Sequence, residues 1–136
     1  MVNYDVSIVG VVVAAVAAFI VGFIWYGPLF GKKWMMYTGK KEADLQKGKD
    51  RMPMVMGLGF ITALVTAYVL GVFISSLGAV AIVDALAVGF LAWLGFQATI
   101  LAGDVLWDGR PVGLFVLNAA HQLVTALIMA AILVSL

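Results

Sequence analysis

A chain of 136 residues that is 65% hydrophobic and 11% charged cannot bury its apolar surface in one soluble core, so lipid must cover much of it. The net charge of +1 conveys nothing as a total and gives no ground for a nucleic-acid partner. With no cysteine, a disulfide framework, thiol catalysis and a thiolate metal site are all excluded, and the redox compartment stays open.

Four stretches carry no charged residue: 6–31, 52–83, 85–103 and 111–136. A hydrocarbon core of roughly 30 Å takes about 20 predominantly apolar residues as a helix, so each stretch is long enough to cross it. The expectation is an all-α, single-domain, four-transmembrane-helix bundle, with helices near 5–26, 53–74, 84–104 and 111–134 and one basic loop over 29–52. The first helix reads as retained rather than as a signal peptide. No Lys or Arg precedes it, and its apolar run is about twice a usual h-region. Gly27 and Pro28 are its stop signal, because proline in a helix interior removes a hydrogen bond and clashes with the preceding turn.

Beyond Pro28, the segment 29–37 mixes aromatics with lysines, as suits the headgroup level of a bilayer. Trp25, Tyr26, Lys32, Lys33 and Trp34 are therefore candidate residues for contact with membrane lipids at the interface. Over 32–51 seven basic residues stand against three acidic ones, a surplus of four. Anionic lipid would attract such a loop at about 1 kcal/mol per basic residue before the acids are counted, although ordinary topology-setting charge is the plainer reading. The one remaining basic residue, Arg110, lies between the third and fourth helices, on the same side of the membrane. The N-terminus, the 75–84 connection and the C-terminus carry no Lys or Arg. The positive-inside rule then puts both basic loops in the cytoplasm and both termini outside, in a plasma (inner) membrane.

Pro53 suits the first turn of the second helix, which should end before Ser75, Ser76 and Gly78. Asp84 is placed to cap the third helix and to favour the positive end of its dipole. Gly10, Ala14, Ala18 and Gly22 recur every fourth residue in the first helix, as do Gly59, Ala63, Ala67 and Gly71 in the second. Such stripes let backbones approach closely where lipid removes the hydrophobic drive between helices. Whether the two stripes meet each other or a second subunit is open at this level. Their extent makes a homo-oligomer, by default a dimer, the expected state.

Chemistry is concentrated on the fourth helix. Asn118, His121, Gln122 and Thr125 are spaced i, i+3, i+4 and i+7, which places all four on one face. His121, the only histidine, lies ten residues past Pro111, roughly 15 Å at about 1.5 Å per residue and so near mid-membrane. An ionisable residue at that depth is a candidate for a proton path, an ion pathway or a ligand site. The plainer reading is packing glue, hydrogen-bonded across helices to Gln97, Thr62 or Thr66. Asp104 and Asp108 form an interfacial acidic pair at i, i+4 if the third helix extends through both. Two such carboxylates can hold a divalent cation or share a proton, and salt bridges to the loop lysines explain them more simply. No Gly-rich phosphate loop, Ser/His/Asp set or zinc spacing is visible, so neither a cofactor nor a catalytic residue is assigned. No acid lies deep enough for proton-coupled multidrug export.

The run Trp25, Tyr26, Gly27, Pro28, Leu29, Phe30, Gly31, Lys32, Trp34, Met35 is followed by Trp93, Leu94, Gly95, Phe96, then Gly109, Arg110, Pro111 and Leu117, Asn118, Ala119, His121. In this order it resembles the domain-of-unknown-function 1761 family of small prokaryotic membrane proteins. The resemblance covers nearly the whole chain and implies four transmembrane helices, with no established activity or substrate. From the residues, the leading expectation is a small oligomeric channel or transporter for an ion or small solute that uses the His121 stripe. The alternative is a non-catalytic lipid-binding or protein-interaction module built on 29–37.

Overall fold

The computed structural model describes all 136 residues, Met1 to Leu136, and contains helices and no strand. In chain order the helices are α1 (Ile8–Ile24), α2 (Gly31–Thr38), α3 (Glu42–Lys47), α4 (Met52–Ser76), α5 (Ile82–Trp93), α6 (Thr99–Leu106) and α7 (Val112–Ser135). Four continuous helical spans, Ile8–Leu29, Lys49–Ser76, Ile82–Leu106 and Val112–Ser135, are long and apolar enough to cross a membrane. The protein is a multi-pass, four-transmembrane-helix bundle.

Two of the spans contain a wide, π-type turn. At Trp25–Leu29 the Phe30 N–H reaches back five residues to the Trp25 carbonyl, at 2.9 Å. Pro28 lies inside this turn, where it has no N–H to offer and its ring would crowd a carbonyl four residues back in a regular helix. The wider turn absorbs both problems. Gly27 and Pro28 therefore do not stop the first span at Tyr26, and it runs on to Leu29. A second wide turn, Leu94–Ala98, joins α5 to α6 and carries Gln97.

Helix ends follow local chemistry. Ser7 caps α1, its hydroxyl accepting the Gly10 N–H at 3.1 Å. α4 starts at Met52 with Pro53 in its first turn and continues through Ser75 and Ser76, and Gly78, at φ 69°, then turns the chain. α5 begins at Ile82, so Asp84 lies within the first turn rather than at the cap. It makes no capping bond there, but its charge still lies beside the positive end of the helix.

The last helix, α7, is the hub, packed against α1, α4, α5 and α6. Every span contributes a fully buried alanine to the core, Ala14 of α1, Ala67 of α4, Ala85 of α5 and Ala130 of α7, with Met129 beside them. This core lies in the half of the bundle nearer the two termini. The small-residue stripes are used inside the subunit. A Cβ on Gly10 would meet Leu136 at 3.6 Å, one on Gly59 would meet Phe19 at 3.6 Å, and one on Gly71 would overlap Val6 at 2.6 Å. All the buried residues of α4 lie at or beyond Ala67. Its first half, from Met52, stands off from α7, and that separation opens the site.

Candidate functional site: an intramembrane cavity around His121

Two indoles clamp the waist of α7. The Trp25 ring N–H donates to the Leu117 carbonyl at 3.1 Å, and the Trp93 ring N–H donates to the Ala119 carbonyl at 2.8 Å. Each carbonyl oxygen has a second lone pair, so it can accept an indole in addition to its helical bond. Next to this clamp the Tyr26 hydroxyl donates to Asn118 Oδ1 at 2.7 Å. The Tyr26 and His121 rings meet edge to face, with centroids 4.9 Å apart.

His121 Nε2 lies 3.4 Å from the Thr125 hydroxyl, while Nδ1 is buried with no hydrogen-bond partner in the chain. A buried polar atom left unpaired costs about 1–3 kcal/mol, so the histidine is the member of the group with a hydrogen-bonding atom to spare. Gln97, from the wide turn after α5, donates through Nε2 to Gln122 Oε1 at 3.2 Å. Thr62 and Thr66 turn instead to their own helix, donating to the Gly59 and Thr62 carbonyls at 2.7 and 2.9 Å. Of the three partners considered for the α7 stripe, only Gln97 reaches it.

His121, Gln122, Thr125, Thr62 and Thr66 border an open cavity of about 630 Å³ between α1, α4 and α7. Phe19, Phe23, Met56 and Ala63 supply apolar wall, and His121, Gln122 and Thr125 supply a polar side. A second cavity, of about 390 Å³, lies on the far side of the same crevice, between α4, α5 and α7. Thr66, Gln122, Thr125 and Met129 border both, and no charged residue lines either one. The larger cavity extends to Met52, the first residue of α4, and reaches Met129 of the alanine-rich core at its other end.

Other sequence candidates lie elsewhere. Asn118 faces a separate pocket near α2. α6 ends at Leu106 and Asp108 lies in the turn beyond it, so Asp104 and Asp108 do not share a helix face, and neither borders the cavities. Lys32 and Lys33 are exposed, and Trp34 is half-buried with its ring edge-on to Tyr26 at 6.5 Å. Trp25 and Tyr26 direct their polar tips to α7, inside the bundle, rather than to the membrane surface. The roles of the Trp25, Trp93 and Tyr26 tips were not readable from sequence, because a donor on an aromatic ring does not identify its acceptor.

The model of a family described as proteins of unknown function, DUF1761, matches residues 9–134. The chain belongs to the DUF1761 family. No curated protein and no solved structure matches it. The match spans all four transmembrane helices. Among the residues that carry the resemblance in sequence, Trp25, Tyr26, Trp93, Asn118 and His121 come from three spans and converge on one turn and a half of α7.

Proposed function

We propose that the cavity between α1, α4 and α7 takes up a small, uncharged, mainly apolar molecule bearing one or two hydrogen-bonding groups, and that the protein is a transporter for such a solute. The observation that carries this reading is a cavity of about 630 Å³ with apolar walls and His121, Gln122 and Thr125 gathered on one side. That volume lies within the roughly 300–1,000 Å³ typical of small-molecule sites. Bare ions fit poorly. An ion stripped of water needs a ring of oxygens or an opposite charge, and no charged side chain borders the cavity. Because the cavity ends against the packed core, the geometry favours a pocket over a continuous channel.

Flux of uncharged solutes into proteoliposomes, measured across a panel of alcohols, amides and ketones of graded size, tests the reading. Uptake of at least one class, lost when Gly22→Leu fills the cavity, supports it. A silent panel, with no solute raising the melting temperature of the purified protein, refutes it.

The second reading, a non-catalytic lipid-binding or interaction module, is favoured by α2, which exposes Lys32 and Lys33 beside the half-buried Trp34. Orientation, with both termini outside and the basic loop cytoplasmic, rests on the placement of all eight Lys and Arg residues in two same-side loops. A plasma-membrane location goes with it. Self-association now rests only on the small number of faces that four spans can bury, since both small-residue stripes are used within the subunit. Cross-linking in native membranes tests it, and monomer alone would refute it.

A further inference from the structure

We propose that a second site, at the junction of α2 with the start of α7, binds a phosphate-bearing anion at headgroup level. It is independent of the cavity around His121. The pocket has a volume of about 480 Å³ and is mostly polar, with Lys40, Arg110, Asn118, Tyr37 and Trp34 on its walls and no acidic residue among them. Lys40 comes from the first basic loop and Arg110 from the second, so two cations seventy residues apart in sequence line one hollow. Arg110 offers a planar fork suited to two phosphate oxygens, and Lys40 a compact point charge.

The neighbours of both cations favour an anion. Lys40 Nζ is 5.3 Å from the centroid of the Trp34 ring, which places the ammonium at the pocket wall. Asn118 already accepts the Tyr26 hydroxyl through Oδ1, which leaves its amide nitrogen to donate. The Arg110 backbone N–H donates to the Asp104 carbonyl at 3.1 Å, and neither the Asp104 nor the Asp108 carboxylate borders the pocket. α7 begins here with no acidic residue in its first turn, so the positive end of its dipole adds to the field without being its main source.

Tyr37 sets the depth of the hollow. Its ring packs against Gly113, where a Cβ would overlap the ring and approach the hydroxyl oxygen to 2.6 Å. Glycine at that position lets α2 dock on α7, so that Lys40 and Arg110 line the same pocket. α7 starts at Val112, nine residues and roughly 14 Å along the helix axis before His121, and Arg110 lies beyond that start, toward the level of lipid phosphates.

The test uses full-length protein in nanodiscs of phosphatidylcholine with or without phosphatidylglycerol, and in detergent with inorganic phosphate or glycerol 3-phosphate. Bound lipid is counted by native mass spectrometry and soluble anions by shift in melting temperature. Lys40→Gln/Arg110→Gln should weaken phosphatidylglycerol binding at least tenfold. Lys47→Gln/Lys49→Gln, which removes the same charge from the same loop side but outside the pocket, should change it less than twofold. Arg110→Lys, which keeps the charge and loses the fork, should fall between. Competition by glycerol 3-phosphate or inorganic phosphate would assign the site to the phosphate group from a soluble source, and binding of phosphatidylglycerol alone would assign it to a lipid headgroup. Equal losses in the two double variants would mean diffuse attraction, and no binding of any of the three anions would mean no site. Either result overturns the proposal. If the double variant does not fold, exposed Lys40→Gln alone carries the comparison, against Lys47→Gln.

Discussion

Gly89 is where the packing of α5 on α7 is most tightly constrained. A Cβ at this buried position would lie 3.1 Å from the Ala126 carbonyl oxygen and 3.1 Å from the Ala130 Cβ. Neither neighbour is the end of a flexible side chain, so Gly89→Ala must push the two helices apart by a few tenths of an ångström. Overpacking of this kind costs about 1–3 kcal/mol. Replacing glycine by alanine inside a helix returns roughly 0.8–1.0 kcal/mol, which leaves a net loss of about 0–2 kcal/mol. Gly57, in α4, supplies the control, because a Cβ there meets nothing within 4 Å. Gly57→Ala receives the helix gain alone and should be slightly stabilising. Since the helix term is common to both, Gly89→Ala should be less stable than Gly57→Ala by about 1–3 kcal/mol. Reversible unfolding in mixed micelles of mild detergent and dodecyl sulfate, followed by circular dichroism, gives that difference. If Gly89→Ala is as stable as Gly57→Ala, then α5 and α7 do not approach as described and the packing argument fails.

Tyr26→Phe removes the hydroxyl that donates to Asn118 and should destabilise the protein by about 0.6 kcal/mol, up to roughly 1.7, with a double-mutant cycle against Asn118→Leu showing coupling of that size. Zero coupling would mean that the bond is absent in the membrane. A Cβ at Gly22 would sit an ordinary 3.8 Å from His121 Nε2, so Gly22→Ala should leave fold and solute uptake intact, whereas Gly22→Leu should keep the fold and abolish uptake. His121→Gln keeps a donor and an acceptor at similar length, so its unfolding free energy should move by less than about 1 kcal/mol while uptake falls. Loss of folding in that variant would identify the histidine as structural. Neutralising the seven basic residues of 32–51 while adding lysines before Ser7 should create inverted molecules, read by topology reporters at Leu136, and a cytoplasmic C-terminus in the unaltered protein would overturn the orientation argument.

Much of the polar stripe is legible in the sequence, because a helix repeats every 3.6 residues and Asn118, His121, Gln122 and Thr125 share a face wherever α7 is placed. What that face meets was not legible. Gln97 and Thr66 looked like equivalent partners in sequence, yet Gln97 bonds to Gln122 while Thr66 returns to its own backbone. The first span passes Pro28 because one wide turn relieves the clash, a local remedy that a rule based on proline alone does not anticipate.

Residue type and spacing by themselves determined that the chain has four membrane-crossing helices and that every Lys and Arg falls in the loop after the first or the third of them, because hydrocarbon tolerates neither unpaired backbone nor unpaired charge. Tertiary structure alone decided the rest: that both small-residue stripes are used within one subunit, that α4 separates from α7 below Ala67, and that Lys40 and Arg110 share a hollow. The reason is physical. Transfer into lipid is a sum over residues along one segment and can be read in one dimension. Where two helices touch or part depends instead on side-chain shapes from distant segments fitting to within a few tenths of an ångström.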